Sequence, residues 1–281
     1  MAEGAKSMAE SIQSGLMQAT QVAREAVVRR ESNGVGFAAF GETGLDDADL
    51  VRMVQAVPSA VGAALGRKTY YFVPLALAEG RGSESAGHRS GNEETMISPV
   101  YNEEIAEMAI CHRNVALSGS GVAGEEGRDG VFISTRLLGD RFSMAFELFI
   151  NVGHAFVDET GVPESFSELV WNQALADVRG ETSLDAWESR AQAVGGGQSG
   201  DRAGKRKIDE KAKTDYLEAA FSDAIAIYML SLAVDFDYSE LREREYPLLA
   251  PQALAERLKL VARLFPPNGG YEFAIRYRRR A

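Results

Sequence analysis

A single cysteine, Cys111, stands in a chain of 281 residues. One thiol excludes an internal disulfide framework and points to a reducing compartment, so a soluble cytoplasmic protein is the expectation. Positive charge is also short. With 30 Lys and Arg against 41 Asp and Glu, the net charge is -11, and a nucleic-acid partner is not expected, because phosphate binding needs basic surface in excess. The one basic cluster, Arg276 with Arg278, Arg279 and Arg280, reads as a solvated tail. No uninterrupted apolar run approaches the roughly 18 residues that cross a bilayer, and no apolar core follows a basic segment near the N-terminus. Neither a membrane span nor a signal peptide is therefore expected.

What remains is a hydrophobic content of 45% and a charged content of 25%, the balance of a globular protein with ample length to bury a core. Residues 8 to 30 are helix-prone, and a second helix runs from the aspartates at 46, 47 and 49 to Leu65. Residues 1–66 are accordingly taken as an N-terminal helical segment and 67–281 as the main α+β domain, the two being either separate or continuous. Thr69 to Leu77 is β-rich, with Pro74 arguing for an edge or an early stop. Tyr101 to His112 reads as a helix whose Ile105, Met108, Ala109 and Cys111 face a core. Cys111 then has a packing role, since no second cysteine and no adjacent acid supports chemistry there. Residues 79 to 94 and 118 to 130 are Gly/Ser/Glu loops, and 195 to 207 is a glycine-rich loop ending in Lys205, Arg206 and Lys207. Val131 to Leu138 is a strand, helices follow near 164–179, 181–193, 209–234, 238–246 and 251–264, and Tyr271 to Tyr277 alternates enough for a final strand.

One stretch carries more information than these. Across residues 143 to 158 an otherwise apolar helix is crossed by a polar line, Glu147, Asn151, His154 and Asp158, at i, i+4, i+7 and i+11. At about 100° per residue these four share one narrow arc and are able to meet as a site. On so apolar a helix, His154 is expected to be buried and bonded to a carboxylate, Glu147 or Asp158 being nearest. The helix after residue 209 repeats the pattern with Lys211, Asp215, Glu218 and Ser222, while Asp223 opens its wholly apolar half. Two helices bearing acids and one imidazole are able to hold a metal or a water. A satisfied polar seam between packed helices is the structural alternative.

The strand from Val131 to Leu138, the helix with Val152-Gly153-His154 and Asp158, and the later Phe221-Ser222-Asp223-Ala224-Ile225-Ala226-Ile227-Tyr228 together resemble the glutamate-type zincin metallopeptidases of the lethal-factor-like group. The resemblance implies a mostly helical α+β fold in which a substrate-pairing edge strand precedes the helix that carries His-Glu-x-Gly-His, and a later helix supplies the third zinc ligand. Gly153 and His154 match the second histidine and its glycine, and Asp158 matches the trailing acid. The first zinc-binding histidine falls on Ile150, the general-base glutamate on Asn151, and the third ligand on Ala219, with Glu218 one position out of register. Isoleucine does not ligate and asparagine does not take a proton from bound water. His88 and His112 offer no compensating spacing.

The resemblance therefore implies a degenerate site: no catalytic residues, no cofactor, and a cleft kept for a peptide or protein partner. In a second reading the line Glu147, Asn151, His154 and Asp158 serves acid/base or metal-dependent hydrolysis, with His154, Glu218 and Asp223 as ligands for zinc. A helical interaction module unrelated to zincins is the third.

Overall fold

A computed structural model describes residues 15–78, 95–117, 128–195, 208–241 and 246–276. Among these, nine α-helices outweigh nine short strands, so the chain is a mostly helical α+β protein. It separates into two compact units, one formed by residues 1–54 and 66–147, the other by 55–65 and 148–281.

Among the described residues the first unit holds all the strands. β1 (Met17–Gln18) leads into helix α1 (Ala19–Glu25), followed by β2 (Arg29–Arg30), β3 (Gly36–Ala39) and α2 (Asp47–Gln55), whose last residue belongs to the second unit. β4 (Lys68–Val73), β5 (Leu75–Ala78), β6 (Thr95–Ser98), α4 (Glu103–Ala106), β7 (Ala109–Ile110), β8 (His112–Ala116) and β9 (Asp129–Ser134) complete it. One sheet has the order β2-β3-β4-β9-β8, with β3, β4 and β9 parallel. Parallel strands covered on both faces carry continuous apolar runs, as Tyr70 to Val73 and Val131 to Ile133 do, all buried. Pro74 donates no backbone hydrogen bond and ends β4; the chain resumes one residue later as β5 in a second, antiparallel sheet of order β1-β6-β5-β7. Ser134 ties the two sheets, its hydroxyl accepting from Ala76 N at 2.8 Å and donating to Ile110 O.

Several expectations are corrected here. The strand before the long helix is not at an edge: β9 ends at Ser134 and lies between β4 and β8, and the edge position belongs to antiparallel β8. Tyr101 to His112 is not one helix, because α4 stops at Ala106 and the chain turns extended from Ala109. Residues 46–65 break at Pro58 into α2 and α3 (Ser59–Ala64). Residues 271–276 form no strand. The loop expected at 79–94 lies outside the described residues, as do residues 118–127 of the loop expected at 118–130 and all of the loop expected at 195–207 except Gly195, which ends a helix.

The second unit is helical. It takes α5 (Arg141–Thr160) from Leu148 onward, then α6 (Glu164–Leu175), α7 (Leu184–Gly195), α8 (Glu210–Ala233) and α9 (Pro251–Leu264). From Ala220 to Leu230 every residue of α8 is buried, as a helix that is apolar all round must be. By length and composition α8 is the one described helix able to cross a membrane, and 78% of its apolar window is covered within this fold. Phe166 packs against Phe221 with ring centroids 4.8 Å apart and the rings tilted by 54°, and Phe265 meets Phe156 edge-on at 5.2 Å. At Gly153 α5 lies close to α8: a Cβ there would sit 2.7 Å from Ser222 O.

Candidate functional site

The polar line on α5 divides along the helix. Glu147 is half-buried and bonds the ring nitrogen Nδ1 of His112, on β8, at 2.5 Å. Asn151 is buried, while His154 and Asp158 are exposed. The expectation of a buried His154 is thus overturned, because the arc holding 154 and 158 turns out of the packed faces that carry Val152, Ala155 and Phe156.

On α8, Glu218 is exposed and its carboxyl is raised above its ordinary range, first by partial burial and then by repulsion from Asp215 and Asp158. Asp158 and Glu218 therefore do come near each other, as facing helices would require. Asp223 takes another course. Five positions from Glu218, it lies about 140° around the helix, is 5% exposed, and accepts the Thr182 hydroxyl at 2.7 Å. Burial pushes its carboxyl up to about 6, against the hydroxyls of Ser183 and Thr182 and the charge of Arg257, which pull it down. Among the described residues no group of three or more His, Cys, Asp or Glu is placed to hold a metal ion. Cys111 is exposed, and its thiol is pushed up by partial burial and by the nearby Glu147, the opposite of what a nucleophile needs.

A larger polar cluster lies deep in the second unit. Glu181 is fully buried, and its carboxylate accepts from Arg257 Nη1 at 2.9 Å, from Arg190 Nη1 at 3.1 Å and from the Tyr216 hydroxyl at 2.7 Å. Arg257, also fully buried, donates through Nε to Gln173 at 2.8 Å and through Nη2 to Tyr216 at 3.2 Å. Burial opposes the guanidinium charge, but Glu181 and Tyr216 outweigh it and Arg257 is held more firmly cationic than usual. The backbone places Glu181 by a short parallel lacing: its N–H donates to Pro247 O at 3.0 Å, and Leu249 N donates to its carbonyl at 2.9 Å. Gly180, at φ +82°, allows this approach, since a Cβ there would sit 2.0 Å from Leu248 O.

Sequence reasoning missed this cluster, although a signal was present. Arg257 lies on the same face of α9 as the buried Leu254, Leu258 and Val261, and Arg190 lies between the buried Ala186 and Ala193 of α7. An arginine inside an apolar stripe calls for a buried carboxylate. No family model, curated protein or solved structure matches this chain, and the functional reading rests on its own residues.

Proposed function

We propose that the chain is a zincin-like scaffold without peptidase chemistry, and that it binds an extended peptide segment of a protein partner as an added strand on β8. The observation that carries this is the side of β8 that no described strand takes. Ser134 N donates to Cys111 O at 2.8 Å and Leu117 N to Arg128 O at 2.9 Å. In an antiparallel ladder these bonds fix the alternation: residues 111, 113, 115 and 117 pair with β9, while the N–H and C=O of His112, Asn114 and Ala116 point away from it. No strand among the described residues takes that side. Such an edge offers main-chain bonds for affinity and side-chain positions for selection. That Ile150, Asn151 and Ala219 stand where the resemblance calls for a ligand, a base and a second ligand supports binding without hydrolysis.

The test uses peptides selected on the full chain from a random display library. Asn114→Pro removes one outward N–H, a position where an edge strand tolerates proline, and is expected to abolish binding of the selected peptides while the protein stays folded by circular dichroism. Val115→Pro instead breaks the ladder to β9 and should unfold the sheet, which calibrates the first result. Peptides that bind Asn114→Pro as well as wild type would overturn the β8 reading. Stoichiometric zinc in the purified protein together with metal-dependent peptide cleavage would overturn the non-catalytic one.

A further inference from the structure

A cleft of about 600 Å³ opens in the second unit between the end of α6 and one face of α7. That is the size of a small-molecule site. Its apolar wall comes from Trp187, Ala191 and Val194, spaced i, i+4 and i+7 on α7, and from Val178 opposite them. Arg190 also lines it.

Arg190 is only partly satisfied. Its side chain is 9% exposed. Its Nη1 donates to Val178 O at 2.7 Å, Gly180 O at 3.1 Å and Glu181 Oε1 at 3.1 Å. Nε has no hydrogen-bond partner among the described residues, and Nη2 lies 3.6 Å from Asp177 Oδ1, an ion pair beyond hydrogen-bonding reach. Nε and Nη2 form one edge of the guanidinium, two parallel N–H groups with the spacing of a carboxylate's two oxygens. Buried charge points the same way, because the carboxylate of Glu181 is shared between Arg190 and Arg257, and the other carboxylate paired with Arg190, that of Asp177, is fully exposed to solvent. A nine-tenths-buried cation with an open bidentate edge thus lines a cleft with one apolar wall, in an otherwise acidic chain.

Asp177 shows what the edge wants. It is the one described residue other than glycine with positive φ, 54°. Val178 N donates to Gln173 O and Asp177 N to Ala174 O, the helix-ending motif in which glycine usually takes this position. An aspartate there costs about 1 kcal/mol of backbone strain, yet it leaves a fully exposed carboxylate beside Arg190 without a hydrogen bond to it.

We propose that this cleft binds a small organic monocarboxylate with an aromatic or medium-chain alkyl body. The carboxylate takes Nε and Nη2 of Arg190 in place of Asp177, and the apolar body lies against Trp187 and Val194. A monocarboxylate fits better than a phosphate, because one planar two-donor edge is open and the other cation lining the cleft, Arg179, is exposed to solvent.

The probe is 1-naphthoate, titrated into the full chain by calorimetry, with 1-naphthalenemethanol as its uncharged counterpart. Naphthoate is expected to bind one per chain, and the alcohol at least about tenfold more weakly, the scale of one charged hydrogen-bonding partner. Asp177→Asn removes the competing charge while tolerating the backbone, and should tighten naphthoate by up to about fivefold. Ala191→Trp, at an exposed position of α7, fills the cleft without touching the Glu181 cluster and should abolish binding. Arg190→Lys is expected to bind weakly, but Arg190 also supports the fold, so the first two variants carry the decision. No naphthoate binding at millimolar concentration, equal binding of the alcohol, or binding indifferent to both Asp177→Asn and Ala191→Trp would each overturn the proposal.

Discussion

Two polar clusters differ in how they are assembled. The line on α5 belongs to one helix, and half of it faces solvent: His154 and Asp158 are exposed, and Glu147 is shared with a histidine that is itself 41% exposed. The Glu181 cluster draws on a connecting segment and four helices, and Glu181 and Arg257 have no exposure at all. Water reaches the exposed half of the first. In the second, every lost partner leaves a charge in a medium that cannot solvate it. Alignment on a helix is therefore a weak guide to energetic weight, and burial with shared partners is a strong one.

The sharpest way to break that comparison is Glu181→Ala, which strands Arg190 and Arg257 together. A loss of about 3–5 kcal/mol is expected, read by urea unfolding with tryptophan fluorescence. Trp171 and Trp187 both lie in the second unit, so the signal reports that unit. A loss below about 1 kcal/mol would place the cluster on a par with surface pairs.

The next effect depends on pH. The Asp223 carboxyl titrates at about 6 in the fold against an ordinary value of 3.8, so the folded state favours its protonated form. That contribution is complete below the ordinary value and is lost as pH rises through about 6, by roughly 2–3 kcal/mol in all. Asp223→Asn stays uncharged throughout. Its stability relative to wild type should therefore rise across this window, and a difference flat with pH from 4 to 7 would contradict the assignment.

Smaller effects belong to the α5 line. His112→Ala removes the partner of half-buried Glu147 and should cost less than about 1 kcal/mol. His154→Ala, at an exposed position, should stay within about 0.5 kcal/mol. Thermal unfolding of both variants beside Glu181→Ala sharpens the ranking, and a larger cost for His154 than for His112 would reverse it.

What was legible in the sequence follows from the range of the signals. The helices α5 and α8 show in their long apolar runs, and β9 in its buried β-branched and aromatic residues. β3, Gly36-Phe37-Ala38-Ala39, has no alternation to read, and its burial comes from pairing with β4. β8, His112-Arg113-Asn114-Val115-Ala116, is polar enough at its start to pass for the end of a helix. Asp223 stood out as an acid opening an apolar half-helix, but its partner Thr182 is 41 positions away. Glu181 read only as the entrance to a helix, because Tyr216 and Arg257 lie 35 and 76 positions beyond it. Periodicity sees the face of one helix and is blind to what other segments bring to it.

That same 76-residue separation of Glu181 from Arg257 orders events while the chain is being made. Arg190 and Tyr216 emerge soon after Glu181 and are able to begin enclosing it. The guanidinium that completes the enclosure arrives only with α9, and so does the Pro247–Leu249 segment that laces Glu181 in place. Until then the nascent helices have an acid at their centre with too few donors around it, and closing over it is unfavourable. The enclosure of Glu181 is thus expected to be the last step in closing the helical unit, waiting on α9.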